Sequence, residues 1–133
     1  MPIFGAIGIA GTGMTVNRKW LDAVSDNLAN MNNAAPTDGE AFRARFVVAQ
    51  AMDYGEAGGV EVAGIELGDA EGRLVHEPNH PLADEDGYVR YPDIDMGSQM
   101  TSLIIAQRGY QANAAVVDRA KETYTAALQI GRN

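Results

Sequence analysis

The sequence predicts an α+β chain in which long N- and C-terminal helices pair as an antiparallel coiled coil, with a small central β module between them. Three observations predict it: apolar residues recur every seven positions near both ends, the period falls to two across the middle, and glycine and proline turn signals punctuate that middle. A helix with so narrow an apolar stripe cannot bury it alone and must lie against another helix.

The first element carries Ile7, Met14, Leu21 and Leu28 at heptad spacing, with Ile3, Ala10, Asn17, Val24 and Met31 at the intervening position. Gly5, Gly8, Gly11 and Gly13 interrupt its lead-in, each costing about 1 kcal/mol in a helix interior. The first thirteen residues are therefore expected to be poorly ordered in isolation, and the helix proper to run from Met14 to Met31. It should stop within Asn30 to Asn33, because Asn favours caps and Pro36 follows.

From Thr37 to Tyr91 the pattern is that of short strands. Phe42 to Met52, Gly59 to Leu67, Arg73 to Glu77 and Tyr88 to Tyr91 read as three or four strands of one module, separated by Asp38-Gly39, Gly58-Gly59, Glu71-Gly72 and Asp86-Gly87. Pro78 and Pro81 bracket a turn that cannot continue a ladder. Asp95 then caps the last helix, Met96 to Ile130, whose stripe is Met96, Leu103, Tyr110, Val117 and Tyr124 with Ala106, Asn113, Ala120 and Ala127 between them. That helix would be about 52 Å long at 1.5 Å per residue, and Gly131 stops it. The chain thus divides into a helical segment 1–35, a β module 36–94 and a C-terminal helix 95–133.

Bulk chemistry narrows the function. A length of 133 residues with 46% hydrophobic and 21% charged residues fits one modest soluble domain. A net charge of −8 argues against nucleic acid and against an anionic membrane surface. Zero cysteine removes thiol nucleophiles, disulfides and thiolate metal sites. No basic region precedes the first apolar stretch, so a cleaved signal peptide is not expected.

Candidate chemistry fails on context. His76-Glu77-Pro78-Asn79-His80 spells the H-E-x-x-H zinc-hydrolase pattern, which works only on a helix, and Pro78 and Pro81 oppose one. A turn at the end of the β module is the better reading. Asp84, Asp86 and Gly87 resemble part of a calcium loop, but the first ligand position would be Leu82 and the last Asp93 instead of Glu. The glycines at 8, 11 and 13 lack the strand before and the Gly-Lys-Ser/Thr after that a phosphate loop needs. No catalytic, cofactor or metal residue is assigned, and no small-molecule substrate.

The residues assigned to a subunit interface are therefore stripe residues and two neighbours of the stripe: Met14, Asn17, Leu21, Val24, Leu28 and Met31 on the first helix, and Leu103, Tyr110, Asn113, Val117 and Tyr124 with Met100 and Leu128 beside them on the last. Asn17 and Asn113 fall on stripe positions, where an amide that finds a partner fixes register and partner choice at some cost in stability. Tyr110 and Tyr124 read as packing anchors with wet hydroxyls.

Short signatures then add a family. Ser25 to Asn30, SDNLAN, resembles the N-terminal signature of bacterial flagellar axial proteins, and Gly109 to Glu122, GYQANAAVVDRAKE, resembles the C-terminal one shared by rod and hook proteins. DGEAFRAR (Asp38 to Arg45) and HPLADEDGYVRYPDID (His80 to Asp95) extend the likeness to rod members across nearly the whole chain. The resemblance implies a non-enzymatic subunit of the basal-body rod, self-assembling into the drive shaft that transmits torque across the periplasm for motility. It implies terminal helices in an inner tube and export by the flagellar type III apparatus without a cleaved signal. It also implies contacts with other rod proteins, with the rod-to-ring adaptor FliE and with further copies of itself. Trp20 and Gln99 depart from the family pattern, where less bulk and an acid are expected. A generic coiled-coil adaptor, which would stay a discrete oligomer, and a zinc hydrolase at His76 and His80 are the competing readings.

Overall fold

A computed structural model describes residues 3–53 and 58–132. The element order is α1 (Ile3–Asn30), β1 (Arg45–Ala51), β2 (Val60–Leu67), β3 (Arg73–His76), β4 (Tyr88–Tyr91) and α2 (Met96–Ile130). Asp95 caps α2 as its spacing suggests, accepting a hydrogen bond from the Ser98 amide at 2.7 Å. Gly131 ends it in a right-handed conformation, its N–H returning to the Ala127 carbonyl.

The two long helices pack antiparallel in a single register. Gly13 faces Asn113, Asn17 faces Gly109, and Asn27 meets Gln99, so each step forward along α1 is matched by an equal step back along α2. The interlock is reciprocal. Each helix carries a glycine four residues before an asparagine, and each asparagine amide lies over the other helix's glycine; a Cβ at Gly13 would come within 2.8 Å of Asn113 and one at Gly109 within 2.7 Å of Asn17.

The glycine-rich lead-in corrects the expected start of the first helix at Met14. From Ile3 onward it is continuous α-helix, making α1 28 residues long, while Met1 and Pro2 lie outside the described residues. Tertiary packing outweighs the propensity cost: Ala10 is buried, Gly13 admits Asn113, and Thr12 hydrogen-bonds the β1–β2 hairpin through the Val60 amide at 3.1 Å.

Along α2 the stripe residues are unevenly covered: Met96, the first helical residue, is exposed, and so is Tyr124, whereas Ala106 is fully buried.

The expected strands of the β module are present as four, and among the described residues they pair as two separate antiparallel hairpins, β1–β2 and β3–β4. The first lies along α1, with a bulge between Val48 and Ala49. The second is fastened to the segment after α1, where Ala35 and Arg90 exchange both backbone bonds at 2.8 and 2.9 Å. Val89 and, on the segments before and after the hairpins, Ala41, Ala44, Pro92 and Ile94 are buried. Gly72 makes the turn into β3 at a φ of +59°, where a Cβ would meet the Tyr91 carbonyl.

Candidate functional site

Two places concentrate polar chemistry inside the fold. One is a node where α1, β1 and α2 meet. Asn27 is 1% exposed, and its Oδ1 accepts the Arg45 N–H at 2.8 Å while Nδ2 donates to the Arg45 carbonyl and to Gln99 Oε1, both at 3.0 Å. One amide thus stands in for a neighbouring strand at the start of β1 and also ties down the first turn of α2. Asp26 and Arg45 pair across the same junction, and Phe42 lies under the guanidinium.

This node was invisible as such in the sequence. SDNLAN reads as a signature, and the signal for Asn27 is its position between Val24 and Leu28 on the buried face, where an amide is costly unless every polar atom is matched. Gln99, the departure from an acid, is buried as the neutral acceptor for Asn27. The other departure, Trp20, lines a groove with Val16, Val24, Phe46 and Val47.

The second polar place is the turn from β3 to β4. Asp84 accepts from the amides of Asp86 and Tyr88 and from the Thr37 hydroxyl, and these bonds, that from Tyr88 foremost, lower its pKa below the ordinary 3.8. Glu77 accepts the Tyr91 phenol at 2.9 Å, which raises the pKa of that hydroxyl. The histidines are occupied by the turn. His80 Nδ1 accepts the Leu82 amide at 3.0 Å, and the His76 ring stands edge-on to Tyr88 with centroids 5.1 Å apart. Among the described residues no three His, Asp or Glu side chains gather where they could hold a metal ion. H-E-x-x-H is here a strand end and a proline turn, which gives the zinc reading no geometry.

The stripe residues assigned to a subunit interface are divided by the fold. Val24 is 2% exposed, its side chain already covered within the chain itself. Asn17 and Asn113 make their interlock with the other helix of the same chain. Met14, Leu21, Leu28, Met31, Leu103, Tyr110 and Val117 are half-buried, with part of each side chain open. Met100, Tyr124 and Leu128 are exposed, the Tyr124 ring standing 5.5 Å from that of Phe4. Beyond the assigned set, Phe4, Ile104, Ile105, Val116 and Ile130 are also exposed, so α2 carries bare apolar surface on both flanks of its seam with α1. Such extended apolar exposure marks an interaction surface. No described helix is long and apolar enough to cross a membrane.

Comparison with known proteins gives this surface its setting. Residues 85–130 match the family described as flagellar basal body rod FlgEFG protein C-terminal. The flagellar basal-body rod protein FlgC of Escherichia coli O6:H1 is 36% identical over 134 residues, covering 99% of this chain and all of the relative. FlgC of Bacillus subtilis is 31% identical over 99% of this chain and all of the relative, and FlgC of Borreliella burgdorferi 30% identical over 98% of each. With likeness running end to end through both helices and both hairpins, the chain belongs to the flagellar basal-body rod protein FlgC family, structural subunits of the bacterial flagellum.

Proposed function

We propose that this chain polymerises with sister rod proteins and further copies of itself into a shaft that crosses the periplasm and transmits torque, and that it does so without catalysis or cofactor. The single observation that supports this most is the helix pair that is locked internally yet bare outside. Its seam is satisfied by Gly13, Asn17, Gly109 and Asn113, while Met100, Ile104, Val116 and Leu128 stay exposed. A rod supplies what that surface lacks, since each large apolar side chain moved from water into a neighbour's surface contributes about 1.5–3 kcal/mol.

Charge supports an arrangement with helices inward. Fourteen of the 18 acids fall between Asp38 and Asp95, whereas α1 carries two acids and two bases, so helices can crowd together without repulsion while the acidic hairpins point outward. On this reading segments 1–35 and 95–133 build the tube and 36–94 forms an outer layer. The finer partners belong to the same proposal: FliE at the rod-to-ring junction and the type III export apparatus, which takes the chain without a cleaved signal.

The test is complementation of a strain lacking the chain. Leu28→Asp places a charge on the half-buried flank of the seam and is expected to abolish swimming and rod assembly, whereas an exposed polar change such as Thr101→Asp is expected to be tolerated. Normal swimming with Leu28→Asp would refute the reading. A chain that remains a discrete oligomer with one partner, absent from purified basal bodies, would favour the adaptor instead.

A further inference from the structure

The helix pair presents a ridge and a groove on opposite sides. The groove runs between β1 and α2 over Trp20, as two adjoining cavities that share Trp20 and Val47, with Phe46 on one wall and Ser102 on the other. Its apolar lip is open: Phe46 is 49% exposed. The ridge is Met100, Ile104 and Arg108, spaced four residues apart on α2, with Met100 44% and Ile104 47% exposed. Ile104 lies two positions after Ser102, about 200° further round the helix, so the ridge faces away from the groove of its own subunit.

Charge fits the two together. Arg108 makes no ion pair among the described residues, and neither does Glu66, which lies directly across from Phe46 in the β1–β2 ladder. Ile104 and Arg108 are one helical turn apart, about 6 Å. That matches the spacing of Phe46 and Glu66, about 5 Å between facing strand residues. We propose that the ridge of one copy seats in the Trp20 groove of a second copy, Ile104 against Phe46 and Arg108 against Glu66.

Because the two surfaces lie on opposite sides of the subunit, the contact is heterologous: every copy offers a ridge to one neighbour and a groove to another. Such contacts propagate around an axis and do not close as a pair. Met100 suits the ridge because its flexible thioether adapts to an irregular groove. The proposal rests on the rod reading and names which faces of neighbouring copies meet within it. It also gives the bulk of Trp20 a purpose, as the floor on which the neighbour lands.

The absence of cysteine makes the test direct. Phe46→Cys and Ile104→Cys chains are co-expressed in cells lacking the natural chain, and basal bodies are isolated and oxidised. A disulfide-linked dimer is expected only when both variants are present, together with a ladder from the doubly substituted chain. Arg108→Glu or Glu66→Arg is expected to lower the crosslinked fraction about fivefold or more, and the two reversals together to restore it. Rods that contain the chain but yield no such dimer overturn the proposal and leave the rod reading standing. Dimers formed equally by either variant alone indicate a symmetric contact and also overturn it. Basal bodies without the chain overturn the rod reading itself, and this proposal with it.

Discussion

Replacing Asn27 should undo the junction between helices and hairpin. The side chain is 1% exposed and makes three hydrogen bonds of 2.8–3.0 Å, two to the Arg45 backbone and one to Gln99, itself 7% exposed. Each such bond is worth about 1 kcal/mol net, and a buried partner left unsatisfied costs about 1–3 kcal/mol. Asn27→Leu keeps much of the volume while removing every bond, so the expected loss is about 3 kcal/mol. That is a large share of the 5–15 kcal/mol, approximately, that holds a domain of this kind. Urea unfolding at 25 °C measures it, followed by the fluorescence of Trp20, the sole tryptophan, which lines the cavity beside Arg45. Asp26→Ala is the control, since the Asp26–Arg45 pair is about half exposed and should be worth under about 1 kcal/mol. A loss below about 0.5 kcal/mol for Asn27→Leu, the size of an ordinary surface change, would refute the assignment of the node.

The glycines supply a second set of outcomes. Gly8→Ala, where nothing lies within 4 Å of the added carbon, should stabilise the chain by about 0.5–1 kcal/mol. Gly109→Ala should lose that gain because the Asn17 amide must move, and should recover it in an Asn17→Ala background; thermal unfolding of the four chains decides. Gly72→Ala should cost more than about 2 kcal/mol, since its carbon would fall on the Tyr91 carbonyl at a positive φ. Acid sensitivity follows from Asp84 and Asp95, whose pKa values are lowered from 3.8 by the hydrogen bonds they accept, chiefly from the Tyr88 and Ser98 amides respectively. A lowered folded value means their contribution is present above pH 4, approximately, and fades as pH falls through the folded value. Asp84→Asn and Asp95→Asn should therefore flatten the acid limb of a stability-versus-pH curve; an unchanged slope would contradict the capping roles.

Much of this fold is legible in the sequence because its signals are local. Asp95 before a long apolar period, Asn30 before Pro36, and Asp-Gly or Glu-Gly pairs between alternating runs each act within a few residues, and the structure places helix ends and strands accordingly. What the sequence hides is tertiary. Gly5 to Gly13 read as helix breakers, and only the position of Asn113 reveals that the smallness of Gly13 is used, while Gly8 and Gly11 face open space. Asn17 and Asn113 were seen as stripe amides, whereas their partners, Gly109 and Gly13, emerge only once the antiparallel register is known. Likewise the strands are legible from alternation and turns, but their pairing as two hairpins, and the bridge from Ala35 to Arg90, join residues far apart in the chain. The stripe showed that the helices need partners without showing which side chains the first partner would use up, as Val24 demonstrates.

The central claim, that this helix pair is locked by its own seam and that its bare flanks are covered by neighbouring rod subunits, is tested most directly by a density map of basal bodies purified from the chain's own cells. The account predicts α1 and α2 in the register of Asn27 with Gln99, lining the shaft with Met100 and Ile104 against another subunit and the hairpins outside. A map in which the chain is absent from the rod, or in which those flanks face open solvent, would contradict it.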